Sequence, residues 1–352
     1  MKKTMLTRFV WGAALLFLFT AVGCAGMGGT PGWVNGERPA EYPERQYVAA
    51  IGVGENLSAA QIAAKGELSR VFSAKLASEI ELIDRENVVD GVASASSDLL
   101  DTTRITTDLE LQGAEVPLHW RDPRSGEIWA YAVLERNKEC LRIRSEGRDL
   151  LTELDSHVGV ARSDPNPLVA IRASVDAVRV GAALDGLQAR SRVLGTQCAP
   201  ARSLSTGQLK GEAAERLAAL SFVVRTADVD PRSGRATAEL PQLREQIAGN
   251  LSRLGFQVGP ASGARVIPVN ARLRLSRVER RTDWVEYRYE GSAEVMSPVA
   301  GDPATIIVET SGAESHPEPS SARLRARRAG ERDLAHQLDQ RIKAFLEENA
   351  AE

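Results

Sequence analysis

The sequence predicts an α+β protein: two small α/β sandwich-type domains, each with helices on one face of a mainly antiparallel sheet, joined by an antiparallel helical hairpin. Three features carry this expectation. Apolar and polar residues alternate near residues 105–134 and 264–310, as half-buried strands require. Between these stretches, two stripes of helical spacing flank the breaker Ser163-Asp164-Pro165-Asn166-Pro167. The chain has 352 residues, more than a single small domain needs, so two domains are the default.

At the start of the chain, Lys2, Lys3 and Arg8 stand ahead of an uncharged run from Phe9 to Val22. This is the arrangement of a secretory signal, assigned to residues 1–23. At ~1.5 Å per helical residue the run reaches about 21 Å, short of the ~20 residues that cross a hydrocarbon core. Ala21-Val22-Gly23-Cys24 follows directly and resembles the lipobox of bacterial lipoproteins, whose cysteine becomes the lipidated first residue. That family prefers Leu where Ala21 stands. The alternative is ordinary small-residue cleavage releasing a soluble secreted protein. Ala25 resembles the residue that sorts lipoproteins to the outer membrane. At about 0.8 kcal/mol per buried methylene, two or three acyl chains hold effectively permanently. Cys24 is therefore expected to be the anchor, and residues 24–45, rich in Gly and Pro, a tether.

Residues 46–137 are expected to form an α/β module. Gln46 to Val53 reads as a strand, and Ser58-x-x-Gln61 as a capping box opening a helix to about Leu76, with Ile62, Leu68, Phe72 and Leu76 inward. Residues 79–83 read as a second strand. Ile105, Thr107, Leu109 and Leu111 share one parity, and Val116, Leu118 and Trp120 the other, so a bulge is expected at Gly113. Asp122-Pro123-Arg124-Ser125-Gly126 makes a turn into a partner strand from Ile128 to Leu134. The same five residues recur at 230–234, where Asp opens, Pro presets φ and Gly accepts φ > 0, so a second turn is expected.

Residues 138–202 form the hairpin. Leu150, Leu151, Leu154 and Val158 make one stripe, and Ile171, Val175, Val178, Ala182, Ala189 and Val193 the facing one. Cys140 and Cys198 then fall at its open end, and in an oxidising compartment such a pair forms a disulfide. Two unrelated thiols are the alternative.

The second α/β domain spans 203–352. Strands are expected near 219–226, 264–278, 283–296 and 304–310, and a helix from about Leu240 to Leu254. A closing helix buries Leu334, Leu338, Ile342 and Phe345 or Leu346. Val269, Ala271, Leu273 and Leu275 alternate with polar residues, as do Val285, Tyr287, Tyr289, Ala293 and Val295.

Pro31-x-Trp33-Val34, Tyr42-Pro43, Tyr47 to Gly54 and the Ala-rich helix with Ala63, Ala64 and Leu68 resemble the LPP-twenty family of small outer-membrane lipoproteins. So do Trp120, Asp122, Gly126, Tyr131, Ala132 and Arg136. The resemblance covers roughly residues 31–137. It implies an α/β envelope module and supplies no catalytic site. The C-terminal part resembles, at the level of fold only, small α/β domains of envelope-assembly lipoproteins.

Chemistry-bearing motifs are few. Gly52-Val53-Gly54 between strand and helix lacks a third glycine, since Leu57 stands there, and has no Lys-Ser/Thr pair after it; backbone geometry explains the glycines better than phosphate binding. His119, His157, His316 and His336 have no ligand spacing, so neither a metal nor a cofactor is expected. No serine elbow is present. A net charge of -3 and 5% aromatics argue against nucleic acid as partner. One cluster is sharper: Arg323, Arg325, Arg327, Arg328 and Arg332, with Arg272, Arg274, Arg277, Arg280 and Arg281 elsewhere, form a candidate basic binding patch. Glu279, Glu286, Glu290, Glu294, Glu331 and Asp333 lie close by in sequence, so a solvated face of mutual ion pairs is the alternative. The expectation is an outer-membrane lipoprotein facing the periplasm or cell surface, not an enzyme, that binds envelope proteins or peptidoglycan. An envelope enzyme acting on peptidoglycan or lipid is the alternative.

Overall fold

In the computed structural model the described residues are 29–87, 113–259, 265–278, 284–297, 299 and 306–347. Cys24, the apolar leader, the alternation at 105–111 and Arg280 and Arg281 lie outside them. The fold is α+β.

The first unit is a three-stranded antiparallel sheet of β1 (Tyr47–Gly54), β2 (Glu115–Arg121) and β3 (Ile128–Glu135), in the order β1-β3-β2. Helix α1 (Leu57–Asn87) lies on one face. Its buried stripe is Ala60, Ala64, Leu68, Phe72, Leu76 and Ile83, packed on Ala130, Ala132 and Leu134 of β3. Small residues lead the stripe because the backbones nearly touch. A Cβ on Gly52 would sit 2.5 Å from Ala64 Cα, and one on Gly54 2.7 Å from the Ala59 carbonyl carbon. The glycines thus seat a helix on a strand.

Three expectations need correction here. Residues 79–83 are helix, because Ile83 continues the α1 stripe seven residues beyond Leu76. Ile62 is 69% exposed; the inward positions flanking it are Ala60 and Ala64. The helix is opened by Asn56, whose Oδ1 accepts from Ala59 N at 2.9 Å, rather than by Ser58. The stretch before Gly113, across which a bulge was expected, lies outside the described residues; within β2 an irregularity lies between Glu115 and Leu118, around Pro117, which as a non-donor suits an edge strand or bulge.

The reverse face of this sheet is aromatic. Trp33, Tyr131 and Val133 are buried there, with Tyr42, Tyr47, Leu118, Trp120 and Trp129 packed around them. Trp33 meets Tyr131 edge-on at 5.7 Å between centroids. Residues 32–47 lie across this face, held by Arg38 donating to Tyr47 O and Arg136 donating to Glu44 O.

Helices α2 (Arg136–Ser163) and α3 (Pro167–Val193) form the hairpin, its turn closed by Asn166 accepting from Leu168 N. Helix α3 is buried well beyond one stripe, against α1, α2, α4 (Thr206–Ala218) and the C-terminal helix. Helix α4 went unpredicted. Its signal was the capping box Ser205-x-x-Gln208, which forms reciprocally, and the stripe Leu209, Ala213, Leu217.

The larger sheet has the order β5-β4-β7-β8-β9, with β6 also on β4. Its strands are β4 (Leu220–Val229), β5 (Ala236–Ala238), β6 (Gln257–Val258), β7 (Arg265–Val278), β8 (Val285–Val295) and β9 (Ile306–His316). The pairs β4–β7 and β4–β6 are parallel, and helix α5 (Pro241–Arg253) is the crossover that parallel pairing requires. Helix α6 (Pro319–Glu347) packs against β7, β8 and β9. Leu243, Ile247 and Leu251 of α5 and Leu334, Leu338 and Ile342 of α6 meet Phe222, Ile267, Val269, Leu273 and Ala293 in a core continuous with that of α1 and α3. Both Asp-Pro-Arg-Ser-Gly segments are the expected turns: Gly126 and Gly234 have φ of 79° and 69°, and each donates back to its Asp carbonyl.

Candidate functional site

The two arginine runs do not combine. In β7, Leu273 and Leu275 face α6, so alternation turns Arg272 and Arg274 to the opposite, open face. There they line a shallow concavity of about 880 Å³ with Ala227, Glu290, Ser292 and Glu309. Arg274 pairs with Glu290 across the β7–β8 register at 3.5 Å. This face therefore carries mixed, partly self-neutralised charge.

Helix α6 carries the other run on the far side of the sheet. Arg325, Arg328 and Arg332 follow i, i+3, i+7 spacing and are exposed. Arg323 is exposed beside them, and Arg327 turns inward to an ion pair with Asp228 of β4. The acids expected to neutralise this run are mostly engaged elsewhere. Glu331 is buried, and burial raises its carboxyl above the ordinary range; Arg327 opposes that shift and Asp228 reinforces it. Asp333 accepts from the Tyr289 hydroxyl, and burial together with that contact pushes the phenol up to about 12. Only a 3.6 Å approach links Asp333 to Arg332. Among the described residues no ion pair engages Arg323, Arg325 or Arg328. The helix thus presents an outward row of cations with Glu331 buried beneath it, near the charge of Arg328, and half-buried Asp333 beside Arg332.

Buried charge elsewhere is matched. Asp185, 2% exposed on α3, accepts from Arg202, from Thr206 at 2.6 Å and from Asn87 at 3.0 Å. Glu139 is gripped by Arg190 and approached by Arg142. Neither Asp185 nor Asp228 was singled out from the sequence. An acid inside the apolar run of α3, which holds only Asp176 and Asp185, was the available signal for Asp185. A second concavity, of about 850 Å³, is lined by Glu153, His157, Asp176 and Arg179. Burial raises the Asp176 carboxyl, against the pull of Arg179 at 2.7 Å and of His157; His157 approaches Glu153 at 3.6 Å. Among the described residues no cluster of three or more His, Cys, Asp or Glu is placed to hold a metal ion.

Cys140 and Cys198 lie beside each other. Both are thiols in this structure. Burial first, and the adjacent Cys198 thiol second, push the Cys140 thiol up.

No protein-family model and no curated protein matches the chain. Among solved structures, a secreted protein of the human pathogen Helicobacter pylori is similar over 84% of this chain and 97% of its own, at 11% identity and a TM-score of 0.42. A minor lipoprotein of Acinetobacter baumannii is similar over 35% of this chain and 92% of its own, at 18% identity and a TM-score of 0.27. A protein of Caulobacter crescentus described as a lipoprotein is similar over 35% of this chain and 86% of its own, at 17% identity and a TM-score of 0.21.

Proposed function

We propose that the chain is an outer-membrane lipoprotein, anchored through Cys24, that acts without catalysis as a binding or assembly module for other envelope components. Residues 31–137 are taken as an LPP-twenty-like module within it. The anchor rests on the charged start, the short apolar run and Ala21-Val22-Gly23-Cys24. Among the described residues no helix is long and apolar enough to cross a membrane.

The observation that carries the binding role is the exposed Arg325, Arg328 and Arg332 row, with Glu331 turned inward beneath it. Side chains held outward on a helix seated over a sheet offer cations to an acidic protein surface or to anionic polymer at little ordering cost beyond their own rotamers. A second reading, an enzyme acting on peptidoglycan or lipid, draws on the concavity around Glu153, His157 and Asp176. Asp176→Asn separates the two: abolished turnover of an envelope substrate overturns the binding role, and unchanged envelope association supports it.

The anchor is tested by Cys24→Ser. Losing the sulfur that carries the lipid should leave a soluble or unprocessed periplasmic form. A variant that still fractionates with the outer membrane as the unaltered protein does refutes anchoring at this residue.

A further inference from the structure

The loop after α3 is laid along the start of α2, and two contacts bracket Cys140 there. On one side Arg136 donates to Leu194 O. On the other, Gly147 lets Pro200 ride directly on the helix, since a Cβ there would meet the proline ring at 2.6 Å. Between these points Arg190 grips Glu139, the residue next to Cys140. The loop itself is pinned by the Ser191 hydroxyl, which donates to Thr196 O at 2.8 Å and accepts from Cys198 N at 2.9 Å. Thr196 Oγ1 lies 3.2 Å from Cys198 Sγ and also touches the Cys140 thiol. Two thiols 58 positions apart in the chain thus share one small polar pocket, and every backbone segment that places them is separately fixed.

We propose that Cys140 and Cys198 are an oxidation site whose mature form is a disulfide stapling the 194–200 loop to α2. The chemistry is thiol–disulfide exchange with a disulfide-bearing oxidant of the secretory compartment. One protein thiolate attacks the donor disulfide, forming a mixed disulfide and releasing one donor thiolate. The second protein thiolate then displaces the other donor thiolate. Cys140 and Cys198 lose two protons and two electrons, and the donor disulfide becomes two thiols. Because the thiolate is the nucleophile and burial disfavours it at Cys140, exchange belongs to the folding chain, before the loop closes. Once formed, the bond is shielded, since Cys198 is only 3% exposed.

The test uses the full-length protein recovered from an oxidising compartment, alkylated under denaturing conditions without reductant and mapped by peptide mass. The expected result is one linked peptide pair containing Cys140 and Cys198, 2 Da lighter than the sum of the free thiol peptides. Alkylation of either residue in most molecules overturns the proposal. In a second measurement, the unaltered protein reduced in denaturant and refolded with reductant should melt roughly 3–6 °C below the unreduced protein, while the same treatment leaves Cys140→Ser and Cys198→Ser unmoved. A melting temperature unchanged by reduction in denaturant and refolding also overturns it.

Discussion

Replacing Gly52 by alanine tests whether the α1–β1 approach depends on a missing side chain. The added Cβ would lie 2.5 Å from Ala64 Cα, about 1 Å inside the normal carbon–carbon separation of ~3.5–4.0 Å. The obstacle is helix backbone, which no rotamer change can move, so α1 must lift or slide as a body. That loosens Ala60, Ala64 and Leu68, each fully buried. Overpacking costs typically ~1–3 kcal/mol, and a rigid obstacle places Gly52→Ala toward the upper end. At ~2.1 cal/mol/K of melting entropy per residue, a 352-residue chain shifts by ~1.5 °C per kcal/mol, so a fall of roughly 3–5 °C is expected. Gly66→Ala is the internal control: it sits on the same helix with nothing within 4 Å and should gain ~0.5–1 kcal/mol from reduced backbone freedom. Thermal denaturation followed by far-ultraviolet circular dichroism reads both. If Gly52→Ala melts at or above the unaltered temperature while Gly66→Ala behaves as stated, the packing account is wrong. If Gly52→Ala keeps its stability and loses affinity for phosphate, the phosphate-loop reading replaces it.

Two further outcomes follow from the C-terminal domain. The carboxyl of Glu331 is raised by burial, so it favours folding fully below the ordinary glutamate value of about 4.3 and loses that contribution as pH rises through its higher folded value. Glu331→Gln should therefore gain stability relative to the unaltered protein at pH 8 more than at pH 4, and a difference in urea midpoint that is equal at both pH values contradicts this. Reversing Arg325, Arg328 and Arg332 to Glu should weaken envelope association of the unlipidated protein at low salt and change little at high salt; Arg327 is left intact because its loss would strand the buried Asp228. Unchanged association at both salts removes the α6 face from the binding role.

Elements with a sustained phase were legible in the sequence, and short or fully buried ones were not. Alternation at Val269, Ala271, Leu273 and Leu275 located β7 because the strand holds one parity throughout, and all four are buried, together with Ile267 on the same face. Over residues 79–83 the same test has too few positions to separate period 2 from period 3.6, and helix resulted. The stripe read on α3 was real but incomplete. Ala170, Ala173, Ala177, Val180 and Leu184 are buried too, because helices pack around α3, and single-face periodicity fades when all faces are buried. The hairpin predicted that the cysteines meet, since short turns force antiparallel neighbours. The charge reading fared differently. Glu331 and Asp333 lie among the arginines in sequence, yet the helical turn sends Glu331 inward and engages Asp333 with Tyr289, while Arg327 finds an acid 99 residues away. Which side of a helix is covered is a tertiary fact.

Both sheets seat a helix by the same device and differ in what happens on the reverse face. Gly52 and Gly54 admit α1; Gly330 lets α6 descend onto Leu273 and Tyr289, and Gly312 leaves room for the Tyr289 hydroxyl. A helix so close to its sheet has little freedom to tilt, so the residues on its outer side keep fixed spacing. On the first sheet the reverse face is apolar and already covered by Trp33 and Tyr42 of the preceding segment, which leaves little area for a partner. On the second the reverse face is open and carries Arg272 and Arg274 beside Glu290 and Glu309, whose mutual attraction must be broken before either sign can meet a ligand. The outer row of α6 has no covering, and its internal neutralisation is limited to Arg332 beside Asp333 and Arg328 above the buried Glu331. An anionic partner meets Arg323, Arg325 and Arg328 there without displacing an ion pair, whereas on the open sheet Arg274 must first give up Glu290, and this difference directs the binding role to α6.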